Sequence, residues 1–304
     1  VNYFFITNIL TMHFVLLLVA SVVLTPVING GILEKEGSLK IKGTGGDILP
    51  LKTEGHMASA KASAKAQEKS GKKVEEEDSS LYEQNIGADL FEGDMVLHPE
   101  MRKGRNLMNL QDYLWPNRKL TYSLSNTIRG QSTIMSRIST AVSTLNKLLS
   151  GCIRIEETTS TAVKSIRVQY YANRCSANVG FFKYSDLTLN LCEYCSTGSV
   201  MHEFMHSLGM LHEQSRSDRD NYVRINFDKV KAGFEGNFRR AQSGVYDTLG
   251  TKYDYNSIMH YGAKYFSIDK SDTITPLRSG VTIGQRTSPT ALDISKLKKM
   301  YKCT

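Results

Sequence analysis

The chain has 304 residues, 38 Lys+Arg against 30 Asp+Glu, 40% apolar and 22% charged side chains, five cysteines and one tryptophan. That balance excludes collagen, mucin, coiled-coil and wholly disordered chains, and the length suits one or two globular domains. The formal charge of +8 arises entirely after residue 105. It lacks the clustering and interleaved aromatics of a nucleic-acid surface, so no nucleic-acid partner is expected.

Residues 1–28 contain no Asp, Glu, Lys or Arg, and Val15–Leu24 is a compact apolar core broken only by Ser21. Pro26, Asn29, Gly30 and Gly31 follow it, the h-region and break of a secretory signal. Residues 1–30 are therefore read as a signal peptide with translation starting at Met12; counted from Val1, the segment also has the length of a signal anchor. From Gly31 to about Ser80 an Ala/Lys/Ser tract (Lys61–Lys73) leads into the acidic run Glu75–Asp78. Too few large apolar side chains are present there to offset ordering entropy, which predicts a flexible spacer. Leu81–Arg105 regains apolar residues and ends in Arg102-Lys103-Gly104-Arg105. All five cysteines lie beyond that point, so 106–304 reads as one compact domain.

Within it, alternation and β-branched content predict strands at Lys119–Leu124, Ile153–Glu156, Ile166–Tyr171 and Leu187–Leu191. Ile134, Ile138, Val142, Leu145 and Leu149 recur at helical spacing, predicting a helix over 132–149. A second helix is expected over 197–208, stopping at Gly209. Residues 216–286 are rich in Tyr, Asn, Asp and Gly and read as loops. A third helix starts at Ser288-Pro289, with the proline in the first turn, and reaches Tyr301. The fold class is α+β, with an irregular second half.

The chemistry concentrates in His202-Glu203-Phe204-Met205-His206-Ser207-Leu208-Gly209-Met210-Leu211-His212. On a helix His202 and His206 share a face, and Glu203 is placed to reach a water held beside them. Gly209 can adopt a left-handed conformation that returns His212 as a third nitrogen ligand. Three neutral imidazoles with an open position describe a catalytic zinc site; a closed structural site takes four ligands and favours Cys. Farther on, Ser257-Ile258-Met259-His260-Tyr261-Gly262 offers a buried Met for an apolar floor and a phenol able to reach a metal or an oxyanion.

HEFMHSLGMLHEQSRSDRDNYV and SIMHYG resemble the astacin family of metzincin metallopeptidases. The resemblance extends over Leu114-Trp115-Pro116, Cys152-Ile153-Arg154 and Tyr301-Lys302-Cys303. It implies a two-subdomain zincin fold, a twisted sheet with helices followed by an irregular C-terminal subdomain, with the active-site cleft between them. It implies one Zn²⁺ per subunit on His202, His206 and His212, Glu203 as general base, and Tyr261 as an additional ligand that helps stabilise the oxyanion. Met259 becomes the non-coordinating base of the Met-turn, and Glu213 the acid that anchors a new N-terminus after activation.

Phe91-Glu92-Gly93-Asp94 matches the family's FxGD propeptide element, with Asp94 as a zymogen switch on the zinc. Residues 31–105 then form a propeptide, first flexible and then inhibitory, cut by an activating protease after Arg105. The resemblance also implies Cys152–Cys303 and Cys175 with Cys195 or Cys192, although neither of the latter has the family's usual distance to Gly198. Arg286, in Gly284-Gln285-Arg286, resembles the arginine that favours acidic P1′ residues. The expectation is a secreted, extracellular, monomeric zinc endopeptidase acting on protein or peptide substrates, with no membrane attachment after signal cleavage. The alternative is a non-catalytic secreted binding protein that keeps the fold.

Overall fold

The computed structural model describes residues 90–99, 101, 110–241 and 248–303. The expected signal peptide, most of the propeptide and the Arg105 cleavage point lie outside them. In chain order the strands are β1 (Met95–Val96), β2 (Lys119–Leu124), β3 (Arg154–Glu157), β4 (Ile166–Tyr170), β5 (Ser176–Asn178), β6 (Leu187–Leu191), β7 (Val223–Ile225) and β8 (Ile274–Pro276). The helices are α1 (Asn126–Arg129), α2 (Ser132–Leu148), α3 (Thr197–Ser207) and α4 (Ala291–Met300).

Six strands form one sheet in the order β1-β5-β6-β4-β2-β3. β3, β2, β4 and β6 run parallel, and β5 is antiparallel to β6. Parallel neighbours need a crossover, and α2 supplies it between β2 and β3. Its Ile134, Ile138, Ala141 and Leu145 are buried, as the helical spacing predicts. Asn146 fixes the register by accepting from Ile155 N at 2.8 Å and donating to Ile155 O at 2.9 Å. β6 is buried along nearly its whole length, which suits a central strand covered on both faces.

The four predicted strands are all present. β1, β5, β7 and β8 are two or three residues long, too short for alternation to show. α4 corrects the expected start of the last helix. Thr290 is its N-cap, accepting from Asp293 N at 3.0 Å, while Asp293 accepts from Thr290 N at 3.0 Å. This reciprocal box sets the N-cap one residue and the first helical residue, Ala291, two residues beyond Pro289, which lies outside the first turn.

The apolar side chains form two clusters. The larger joins the sheet, α2 and α3 to Ile258, Met259, Leu297, Met300 and Tyr301. The smaller gathers Val223, Val230, Phe238, Tyr253, Tyr261, Tyr265, Phe266 and Ile274 beneath the β7–β8 ribbon and loops. Two subdomains are thus present, but the C-terminal helix packs on the first. Cys152–Cys303 ties the approach to β3 to the residues after α4.

Candidate active site

α3 carries two of the candidate ligands and is buried from Gly198 to Ser207. Ser196 caps it, accepting from Ser199 N at 3.0 Å. A Cβ added at Gly198 would lie 1.7 Å from the Arg286 carbonyl oxygen, so only glycine lets the helix approach the 286 segment this closely. At the other end Gly209 has φ +100° and turns the chain back toward the site. Trp115 Nε1 donates to Ser207 O at 2.7 Å, and the Tyr301 hydroxyl donates to Leu208 O at 3.0 Å. These bonds occupy carbonyls that a helix end would otherwise leave unsatisfied.

His202, His206 and His212 are wholly buried and converge. His212 Nε2 lies 3.2 Å from His206 Nε2 and 3.3 Å from His202 Nε2. Each Nδ1 faces an acceptor instead: Ile258 O at 2.8 Å for His202, Met210 O at 2.7 Å for His206 and Glu92 Oε2 at 2.8 Å for His212. A neutral ring that donates through Nδ1–H keeps a lone pair on Nε2, so the outer hydrogen bonds favour the metal-binding tautomer of each ring when it is neutral. Asp94 Oδ2 sits 3.1 Å from both His202 and His212 Nε2, and its Oδ1 3.5 Å from His206 Nε2. These four ligand atoms lie within 4.8 Å of one another. Nitrogens bound about 2.0–2.1 Å from a tetrahedral zinc stand about 3.3 Å apart, so this donor set fits that ion.

Electrostatics match the geometry. Burial holds His202 and His206 below their ordinary range, keeping them neutral as ligands must be. His212 goes the other way: burial pulls it down, but the Asp94 and Glu92 carboxylates outweigh this and raise it to about 9. Burial pushes Asp94 up, yet the surrounding imidazoles hold it well below the usual carboxylate range.

Glu203 is buried on α3 directly after the first histidine. The Tyr261 ring lies 4.7 Å from that of His212, and its hydroxyl donates to Glu92 O at 2.5 Å. Burial, then the charge of Asp94, raises this phenol well above its ordinary pKa. Met259 is buried, with its carbonyl accepting from Glu213 N at 3.0 Å. The same turn is held by Asp293, which accepts from Ser257 Oγ at 2.5 Å and from Ile258 N at 3.0 Å. His260 is buried and pushed down to about 3, its ring bonded to the Tyr253 hydroxyl and Tyr261 O.

The Glu213 carboxylate pairs with Lys296 of α4 and Arg216, and accepts from Asp254 N at 2.8 Å. Arg286 is buried, with Nη1 donating to His260 O at 2.9 Å. Cys175 is bonded to Cys195, leaving Cys192 as a buried free thiol among the described residues. Sequence reasoning missed Glu92, Asp293 and Lys296. Thr290-x-x-Asp293 is a visible capping pattern, and Glu92 lies inside the FxGD element; nothing local marks Lys296.

Three buried imidazoles with converging Nε2 atoms, two of them one turn apart on a helix backed by a mostly parallel sheet, define a metzincin-type zinc peptidase domain. The family model of astacin (peptidase family M12A) matches residues 107–302. Zinc metalloproteinase nas-15 of Caenorhabditis elegans is 34% identical over 71% of this chain and 37% of its own length. Nematocyst expressed protein 6 of Nematostella vectensis is 33% identical over 71% of this chain and 77% of its own. High choriolytic enzyme 1, a hatching-enzyme zinc protease from Oryzias latipes, superposes with a TM-score of 0.57 at 32% identity, over 64% of this chain and 96% of that one. The chain belongs to the astacin family. It spans well under half the length of nas-15.

Proposed function

We propose that the chain is the latent form of a secreted zinc endopeptidase, held inactive by residues 91–96 and released by cleavage after Arg105. The observation that carries this reading is the set of three Nε2 atoms closed around the Asp94 carboxylate, Oδ2 on His202 and His212 and Oδ1 on His206. That carboxylate takes the position an attacking water needs. Three further contacts support a blocking role: Glu92 O accepts from Tyr261, Glu92 Oε2 holds His212, and β1 pairs with β5, with Ala177 N donating to Asp94 O at 3.0 Å. The apolar run at Val15–Leu24 and the two disulfides support passage through an oxidising secretory route. Among the described residues no helix is long and apolar enough to cross a membrane.

Once the segment leaves, β5 becomes a sheet edge with unpaired backbone groups, a template for an extended peptide substrate. Bound zinc supplies Lewis acidity toward water and toward the scissile carbonyl. Glu203 takes the proton from the attacking water and passes it to the leaving amine. Tyr261, freed from Glu92 O, donates to the tetrahedral oxyanion of the substrate; its raised pKa keeps the donor proton in place. Met259 floors the site. Arg286 favours an acidic P1′ side chain through charge-assisted hydrogen bonds. Glu213 serves as anchor for the new terminus, an ammonium that would join Lys296 and Arg216 already at that carboxylate. Substrates are proteins or peptides, and the enzyme acts as a monomer.

The test is to cleave the full chain after Arg105 and follow hydrolysis of a denatured protein substrate. Activity should appear on cleavage, vanish with a chelator and return with zinc. Glu203→Gln should retain zinc and lose turnover by about 10²-fold or more. Substantial hydrolysis by metal-loaded Glu203→Gln would remove the general-base assignment.

A further inference from the structure

Outside the metal centre, the other close cluster of metal-binding or nucleophilic side chains among the described residues consists of three sulfurs. Cys175 and Cys195 form a disulfide, and the Cys192 thiol is sealed beside it. Cys192 Sγ lies 3.0 Å from Cys195 Sγ and 3.8 Å from Cys175 Sγ. Cys192 and Cys195 are wholly buried, whereas Cys175 keeps 6% exposure. A thiol this close to a disulfide sulfur can exchange with it without external oxidant or reductant; the 3.8 Å to Cys175 Sγ places Cys192 to the side of the bond, so its side chain must rotate to attack in line with the departing sulfur.

We propose that these three cysteines form an exchangeable set: the Cys192 thiolate attacks Cys195 Sγ, a Cys192–Cys195 bond forms, and Cys175 leaves as the thiolate. The Cys192 proton is lost to solvent or a base, and the departing Cys175 sulfur takes one up. One disulfide and one thiol are present before and after, so there is no net oxidation. Attack on Cys195 is favoured over attack on Cys175 because it is the nearer sulfur. The product thiol also lies at the most exposed position of the three. Burial raises the Cys192 thiol, so the exchange is slow at neutral pH rather than continuous.

The consequence falls on the strand next to the metal centre. Cys175 immediately precedes β5, and Cys195 immediately precedes Ser196, the cap of α3. The present bond therefore staples the start of β5 to the start of the metal-binding helix. Cys192–Cys195 closes only the short turn between β6 and α3 and leaves β5 held by its strand pairing. β5 is where β1 and the Asp94 carbonyl are bound, so the sulfur arrangement sets how firmly the blocking segment is held. That last step rests on the latency reading; the exchange itself does not.

The experiment takes the uncleaved full chain at pH 8.5 without added thiol, quenches aliquots in acid, alkylates under denaturing conditions and maps the label by mass. The expected result is label moving with time from Cys192 to Cys175, while the peptide holding Cys192 and Cys195 parts from the Cys175 peptide and appears unlabelled, two hydrogens lighter than its fully reduced form. Cys192→Ser should abolish labelling of Cys175, and Cys175→Ser should oxidise to a Cys192–Cys195 disulfide. Label confined to Cys192 at all times would overturn the proposal. So would label on Cys195, the sign of a Cys175–Cys192 bond. If Cys175→Ser does not fold, the time course of the unaltered chain decides alone. A positive time course with unchanged protection of the β5 amides from hydrogen exchange would leave the sulfur chemistry standing and remove its link to latency.

Discussion

Replacing Asp293 with Ala removes a carboxylate that is wholly buried and accepts three hydrogen bonds, from Ser257 Oγ, Ile258 N and Thr290 N. Hydrogen bonds to a charged group contribute roughly 1.5–3 kcal/mol each, and a buried donor left without its partner costs about 1–3 kcal/mol. The Thr290 bond belongs to an N-cap, where loss is worth about 1 kcal/mol. Because the three bonds share one acceptor and relax together, the sum is not additive. A total of about 3–5 kcal/mol is expected. Part of it reaches the metal: Ile258 donates its N–H to Asp293 and offers its O to His202 Nδ1. Loss of such a support lowers metal affinity about 10–100-fold. Denaturant unfolding with and without zinc, together with competition against a chromophoric chelator, measures both quantities. A stability loss below about 1 kcal/mol, or unaltered zinc affinity, would refute the idea that α4 positions the first histidine through the Met-turn.

Asp94→Ala should let the uncleaved chain bind a small hydroxamate at zinc, where the parent does not; equal exclusion by both would show that Asp94 is not the block. At pH 7.5 His212 of the metal-free, uncleaved chain lies below its pKa of about 9 and carries a proton. Zinc uptake should therefore release that proton, and the release should fade as pH rises through 9; calorimetry in two buffers of different ionisation enthalpy reads it. Gly198→Ala forces a methyl against the Arg286 carbonyl and should lower both stability and zinc affinity, with an unchanged unfolding midpoint counting against the close approach. Peptides differing only in Asp or Ala at P1′ should be cut at different rates by the activated enzyme, with the difference lost in Arg286→Ala; equal rates in the parent would remove Arg286 from specificity.

The metal-binding segment was legible because helical spacing and one glycine suffice to bring His202, His206 and His212 together, and both are local properties. The alternating strands β2, β4 and β6 were legible for the same reason. What escaped depends on partners far along the chain. β1 and β5 are strands only because they pair with each other and with β6. Trp115, Asp293 and Lys296 act on groups 92, 35 and 83 residues away. Cys192 and Cys195 differ by three positions, and no local rule separates them; the fold brings both to Cys175 and bonds one.

Metal content of the purified, oxidised full chain is the most direct measurement of the central claim that three imidazoles hold one zinc ion. One zinc per chain is predicted, falling to a small fraction in His206→Asn, with Cys152–Cys303 and the folded spectrum retained. A chain that folds and carries no stoichiometric zinc, or a His206→Asn protein that binds it as tightly as the parent, would contradict the account.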